Sequence, residues 1–316
     1  MQRSRFLAVL LGVSAGGLAA TAYGQSSEAA QPAPKAIYDE QADAKADIAA
    51  ALAKAKRENQ RVLVMFGGNW CGWCHKLHGL YKQDKEIARK LLYEYRLVLV
   101  DIGRWNKHMD VAESYKADLK KHGVPFLTIL DADGKVIANQ ETGALEEGDH
   151  HDVRKVLEFL ARHQAPPQDA DKRLAAALAE ARSDNKRVFL HLGAPWCGWC
   201  HKLEDFLARP EIAGVIARDY VDLKIDIDRM TGGNEVAARF RASDKGGIPW
   251  FAVLDADGKK LISSDGPEGN CGYPASPAEI AHFMKMLRET RRNITDEQLT
   301  LIEKALKEAA EKLGTR

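Results

Sequence analysis

The chain has 316 residues, enough for two domains with cores of their own, and its 46 Lys and Arg against 45 Asp and Glu leave a net charge of +1. So even a balance lacks the basic footprint that a nucleic-acid partner requires, and none is expected. Five cysteines, four of them in two close pairs, are a poor staple for a chain of this size, because bridges closing such short loops remove little chain entropy.

Arg3 and Arg5, an apolar run from Phe6 to about Ala19, and small residues at Ala22 and Gly24 ahead of Gln25 form the three-part pattern of a secretory signal. Residues 1–24 are expected to be a signal peptide and 25–38 a flexible leader. No later segment is long and apolar enough to span a bilayer. The mature protein is therefore expected to be soluble, in the periplasm or otherwise exported, without stable membrane insertion after signal removal.

From about Asp39 to Glu58, Ala44, Ile48, Ala51, Leu52 and Ala55 recur on one helical face. The β-branched and apolar run Arg61–Gly67 predicts a buried strand, followed by a helix to about Leu92, a strand over Leu97–Ile102, a helix over Asp110–Lys121 and a strand over Phe126–Leu130. Asp133-Gly134 turns the chain into a strand over Val136–Asn139, and His150–His163 is expected to be helical. Residues 39–163 thus form a first domain, and 164–170, with Pro166-Pro167, a linker. The order then repeats: Ala176–Leu203 matches Ala50–Leu77, Gly247-Ile248-Pro249-Trp250 matches Gly123-Val124-Pro125-Phe126, and Leu254–Lys259 is identical to Leu130–Lys135. Residues 171–290 are a duplicated second domain. In the remaining 291–316, Thr295 with Gln298 opens a final helix that carries Leu299, Ile302, Leu306 and Leu313 on one face.

Trp70-Cys71-Gly72-Trp73-Cys74-His75-Lys76-Leu77 returns unchanged as Trp196-Cys197-Gly198-Trp199-Cys200-His201-Lys202-Leu203. Each copy follows a predicted strand and opens a predicted helix. Unpaired N–H groups and the positive end of the helix dipole favour an anion there, so the first cysteine of each pair is expected to be partly thiolate. Residues three apart on a helix have Cβ atoms about 5 to 6 Å apart, wider than the roughly 3.5 to 4.5 Å of a relaxed disulfide. The first turn must tighten to close the bond, which suits exchange better than stapling.

Cys-x-x-Cys at a strand-to-helix junction, followed about fifty residues later by an apolar residue and Pro before a hairpin, resembles the thioredoxin superfamily. The resemblance covers about Asp39 to Thr290 and implies an α/β chain of two tandem thioredoxin-like folds, each a central mixed β-sheet flanked by helices, with a C-terminal helix. It implies a thiol-disulfide oxidoreductase, with Cys71 and Cys197 as nucleophiles and Cys74 and Cys200 as resolving thiols. Pro125 and Pro249 would be cis-prolines, offering the backbone of Val124 and Ile248 to a substrate peptide. Partners would be disulfide-containing or dithiol proteins and, with the reductase direction slightly favoured, a membrane-embedded dithiol electron donor. No cofactor and no metal are required. Trp73 and Trp199, between the cysteines, are expected to be exposed and able to pack on a substrate chain, and Trp70 and Trp196 to cover the active-site face. His75 and His201 are candidate modulators of thiol acidity. The buried Asp that thioredoxins carry six residues before the first cysteine is replaced by Met65, which cannot take a proton, and by His191, which can.

Other readings share these residues. Both Cys-x-x-Cys-His motifs satisfy the c-type haem attachment pattern. Cys71, Cys74, His75 and His78 share a helical face that could hold zinc or copper, although Glu204 replaces the last histidine in the second copy. Asp131–Gly134 and Asp255–Gly258 mimic part of a calcium loop and are read as hairpin turns. Cys271, in a loop without counterpart in the first domain, is an idle buried thiol or the site of an intermolecular disulfide. Tandem folds could also hold a client without catalysis.

Overall fold

Val62 to Phe66 are all buried, as an unbroken apolar run requires of a strand covered on both faces. In the computed structural model, which describes residues 35–241 and 247–314, this strand, β1 (Arg61–Gly67), is central in a four-stranded sheet. The expected signal peptide and most of the expected leader lie outside the described residues. Parallel β2 (Tyr95–Asp101) flanks β1 on one side and antiparallel β3 (Phe126–Leu130) on the other, with β4 (Val136–Glu141) at the edge. Helix α1 (Ala44–Glu58) precedes β1. Helices α2 (Gly72–Gln83) and α3 (Lys85–Glu94) link β1 to β2, and short α4 (Met109–Ser114) and α5 (Leu119–His122) link β2 to β3. A hairpin of β5 (Glu146–Glu147) and β6 (His150–His151) leads into α6 (Val153–His163). Alternation along β1 sends Leu63 and Met65 toward α2, α3 and α6, and Val62, Val64 and Phe66 toward α1 and α4. The sheet is thereby buried between two helical layers.

The second domain repeats this order with α7 (Ala170–Ser183), β7 (Arg187–Gly193), α8 (Gly198–Leu207), α9 (Pro210–Ile216), β8 (Tyr220–Asp226), α10 (Gly233–Phe240), β9 (Trp250–Leu254) and β10 (Lys260–Ser263). Its strands lie in the same spatial order as those of the first sheet. A small hairpin, β11 (Asp265–Gly266) and β12 (Gly269–Asn270), precedes α11 (Pro277–Thr290) and α12 (Asp296–Gly314). Leu299, Ile302 and Leu306 of α12 share a core with Phe283, Met286 and Leu287 of α11, so the final helix packs on the second domain. Buried Asp219 fixes the corner between the two helices by accepting the N–H groups of Arg292, Asn293 and Ile294 at 2.7, 2.8 and 3.0 Å. Among the described residues no helix is long and apolar enough to cross a membrane.

Four helix boundaries differ from the sequence expectation, each for a local reason. The helix expected to run from the cysteines to Leu92 breaks at Asp84, whose carboxylate accepts the N–H groups of Glu86 and Ile87 and caps α3. The helix expected over Asp110–Lys121 is two short ones, separated where Lys116 takes a positive φ of 58°. His150 and His151 pair with Glu147 and Glu146 as a strand, and the helix starts at Val153 under an Asp152 cap. The first helix starts at Ala44, under an Asp43 cap, and not near Asp39. The two calcium-like segments are turns in which Asp131 and Asp255 spend a carboxylate oxygen on backbone N–H groups.

Candidate active sites

Cys71 is the N-cap of α2 and Cys197 that of α8, and each Sγ accepts the backbone N–H of the second cysteine at 3.1 Å. The helix start thus directs a donor and the positive dipole end at the first sulfur, which favours a thiolate there. Cys71–Cys74 and Cys197–Cys200 are disulfide-bonded, each with Cα atoms 5.2 Å apart. Cys71 Sγ lies 3.5 Å from Val124 O, and Cys197 Sγ 3.5 Å from Ile248 O. Val124–Pro125 and Ile248–Pro249 are both cis peptide bonds. Residues some fifty positions apart are brought together identically in both domains, with Cys71 and Cys197 nearly buried, at 5% and 4% exposed, and Cys74 and Cys200 fully so.

The tryptophans divide unevenly. Trp199 is 50% exposed and stacks on Tyr273, with Lys202 Nζ 4.2 Å above its ring. Trp73 was expected to be exposed as well, but it is half-buried, with its ring edge-on to His151 at 5.2 Å. The β5–β6 hairpin, which brings His151 there, covers it. Trp70 and Trp196 are exposed beside the cysteines, and their indole N–H groups donate to Gly103 O and to Asp228.

Beneath the second cysteine the two sites diverge. Met65 is buried in the first domain, and a polar group close to Cys74 is the Tyr38 hydroxyl. A Cβ on Gly67 would collide with Tyr38 Oη and come within 2.6 Å of Cys74 Sγ, so only glycine permits this approach. Among the described residues Tyr38 Oη has no hydrogen-bond partner, and burial, with Tyr81 and Asp101 nearby, pushes its phenol well above the ordinary range. In the second domain the corresponding space holds a carboxylate: a Cβ on Gly193 would lie 3.4 Å from Glu204 Oε1 and 3.6 Å from Cys200 Sγ. His191 is buried and 3.1 Å from Asp222 Oδ1, close enough for an ion pair but off-axis for a hydrogen bond.

Glu204 belongs to a buried cluster. Its Oε1 lies 2.7 Å from Lys224 Nζ and its Oε2 3.4 Å from His201 Nδ1. Glu58, from the first domain, lies 3.4 Å from Lys224 Nζ and 3.8 Å from His201 Nδ1. Burial would raise the Glu204 carboxyl, but the His201 hydrogen bond and the Lys224 and His191 charges outweigh it and hold the group at about 2. The hydrogen bond to Glu204 in turn raises the His201 imidazole above its ordinary value, against burial. Sequence reasoning missed Glu58 and Tyr38 as site residues. For Glu204 a signal existed, since it stands one helical turn after Cys200 on the same face.

The alternative ligands fit poorly. A haem thioether needs two reachable sulfurs, and Cys74 and Cys200 are fully buried in the first turns of their helices. The His75 and His201 rings are turned back onto Asn69 O and Pro195 O at 2.8 Å. Cys71, Cys74, His75 and His78 do not converge. Among the described residues only Glu58, His201 and Glu204 gather as possible ligands, and Lys224 Nζ already sits against both carboxylates. Cys271 is buried, and burial pushes its thiol up to about 12.

A thioredoxin-like family model matches residues 43–132 and 169–256. The chain is similar to Protein disulfide-isomerase 1 of Dictyostelium discoideum, at 24% identity over 213 residues, covering 64% of this chain and 54% of that protein. It is also similar to the Disulfide bond reductase DsbH of Chlamydia pneumoniae, at 30% identity over 95 residues, covering 28% of this chain and 57% of that protein. The chain thus spans about half the length of these two relatives. Among solved structures, a disulphide isomerase from Xylella fastidiosa Temecula1 aligns at 27% identity with a TM-score of 0.37, covering 40% of this chain and 95% of that one. Two family matches in tandem, each enclosing a Cys-x-x-Cys pair at the head of a helix, make this chain a member of the thioredoxin-like family with two such domains.

Proposed function

We propose that the chain is an exported thiol-disulfide oxidoreductase whose two domains, 39–163 and 171–290 joined by 164–170 and followed by a helical 291–316, each carry an active site. The observation that carries this reading is the repeated geometry of a helix-capping sulfur 3.5 Å from the carbonyl before a cis-proline, with its partner sulfur buried. In the reductive direction, the thiolate of Cys71 or Cys197 attacks one sulfur of a substrate disulfide. A mixed disulfide forms and the substrate's other sulfur leaves as a thiolate that takes up a proton. Cys74 or Cys200 then loses its proton and attacks the enzyme sulfur of the mixed disulfide, releasing the second substrate thiol. Two electrons pass to the substrate, and the enzyme is left as the disulfide. The backbone at Val124-Pro125 and Ile248-Pro249 holds the substrate chain alongside, and Trp73 and Trp199 border it.

The reverse sequence would oxidise a dithiol. Likeness to a protein named as a disulfide bond reductase supports the reductive direction. An exported reductase needs two electrons per turnover from outside its own compartment, so its donor is a membrane-embedded dithiol protein and its substrates are disulfide-containing proteins. The test is turnover of a disulfide-bonded protein by the full chain, with the reduction potential of each pair measured by thiol exchange. Potentials near about −270 mV agree with the reductase, and values near about −120 mV would reverse the direction. Turnover lost in Cys71→Ser combined with Cys197→Ser, with the fold kept, would argue against a mere client-binding module, and turnover that survives would remove the nucleophile role from both cysteines.

A further inference from the structure

The first domain reaches into the second site. Arg229, after β8, donates to Glu58 O and Asn59 O at 2.7 and 3.0 Å and to the Glu94 carboxylate at 2.7 Å, clasping the end of α1 from across the domain boundary. Tyr93 OH and Trp196 Nε1 share Asp228 Oδ2. The clasp delivers the Glu58 side chain to α8. Its carboxylate is 8% exposed, held by Arg96 of its own domain at 2.8 Å, and faces both Lys224 and His201.

The hydrogen-bond inventory of His201 then decides its charge. Nε2 lies 2.8 Å from a carbonyl, Pro195 O, and must carry a proton. Nδ1 faces Glu204 Oε2 and Glu58 Oε1 at 3.4 and 3.8 Å, and a neutral ring would set a lone pair against two carboxylates. Protonated, it donates to them. The other charges that face the cluster are Lys224, shared between the two carboxylates, Arg96, which holds the same Glu58 Oε1 that faces His201, His191, which acts through Glu204 and is itself beside Asp222, and Lys54 and Arg57, which are taken up by Asp205. His75 has the same bond from Nε2 to a carbonyl, but the residue matching Glu204 is His78, and among the described residues no carboxylate pairs with His75.

We propose that Glu58 is a positioning residue for the second site: with Glu204 it keeps His201 as an imidazolium one helical turn from Cys197, a fixed cation that the first site lacks. The proposal rests on the reading of Cys197 as a nucleophile. A cation so placed favours the thiolate, so Cys197 is the more acidic nucleophile and the second pair the more oxidising one.

The histidine C2–H resonances of the full, oxidised chain are followed from pH 5 to 9, without substrate, so that the result stands apart from turnover. His201 is expected to titrate above the ordinary value of about 6.5. In Glu58→Gln its midpoint falls by about half a unit or more while that of His75 stays, and in Lys224→Met, which removes a competing cation, it rises. A loss of packing would move both variants the same way, so shifts of one sign in the two, or an unmoved His201 in Glu58→Gln, overturn the proposal. In the reduced chain, alkylation mapped by mass spectrometry should be severalfold faster at Cys197 than at Cys71 at pH 6, a preference that His201→Gln abolishes. A preference kept in His201→Gln would also overturn it.

Discussion

Replacing Glu204 with Gln removes a buried charge while keeping the shape of the side chain. The Glu204 carboxyl titrates at about 2 in the folded chain, against 4.5 for an unperturbed glutamate. At about 1.4 kcal/mol per pH unit, this depression is worth about 3 kcal/mol of stability. A folded value below the unfolded one stabilises fully above pH 4.5 and is lost as pH falls toward 2; by pH 3 less than about half remains. The side chain is only 8% exposed, so solvent screening takes little from the figure. Urea unfolding of the full chain, read through tryptophan fluorescence to which fully buried Trp250 contributes, should place Glu204→Gln about 3 kcal/mol below wild type at pH 7 and narrow that gap to less than about half by pH 3. A gap of equal size at both pH values would show that the loss comes from packing and not from the charge cluster.

Four further outcomes are expected. Cys71→Ser or Cys197→Ser leaves one working site and part of the turnover of a disulfide-bonded substrate, whereas the double variant has none and keeps its circular dichroism spectrum. Burial, with Lys76 and His150 nearby, depresses His151 to about 4, so it is neutral in the fold. Its contribution is complete above pH 6.5 and lost as pH falls toward 4, so the first domain weakens on acidification and His151→Phe flattens that slope in denaturation between pH 7 and 5. Trp199→Ala, at an exposed ring, raises KM for a peptide disulfide at the second site without lowering Tm. Trp73→Ala, at a half-buried ring that packs on the core, costs on the order of 2 kcal/mol of stability.

The fold was legible because its signals are local and occur twice. Apolar runs mark the central strands, and the repeated cysteine motif fixes where a strand gives way to a helix. What the sequence hid was set by single side chains or by distance. Asp84 ends one helix by capping the next, which a continuous apolar period does not reveal. The pairing of His151 with Glu146 makes a strand of residues whose composition suits a helix. The cluster at the second site depends on Glu58 meeting Lys224, 166 residues away, across an interface that no motif announces. Met65 and His191 depart visibly from the family pattern, but the groups beside the buried sulfurs, Tyr38 and Glu204, do not lie on the central strands.

On the proposed function, Cys71 and Cys197 are the attacking sulfurs of two exchange sites. This role is tested most directly by incubating the chain carrying Cys74→Ser and Cys200→Ser with a disulfide-bonded peptide and mapping the adducts by mass spectrometry. Without a resolving thiol the mixed disulfides persist, and two peptides per chain are expected, one on Cys71 and one on Cys197. No adduct, or an adduct on Cys271 alone, would contradict the account.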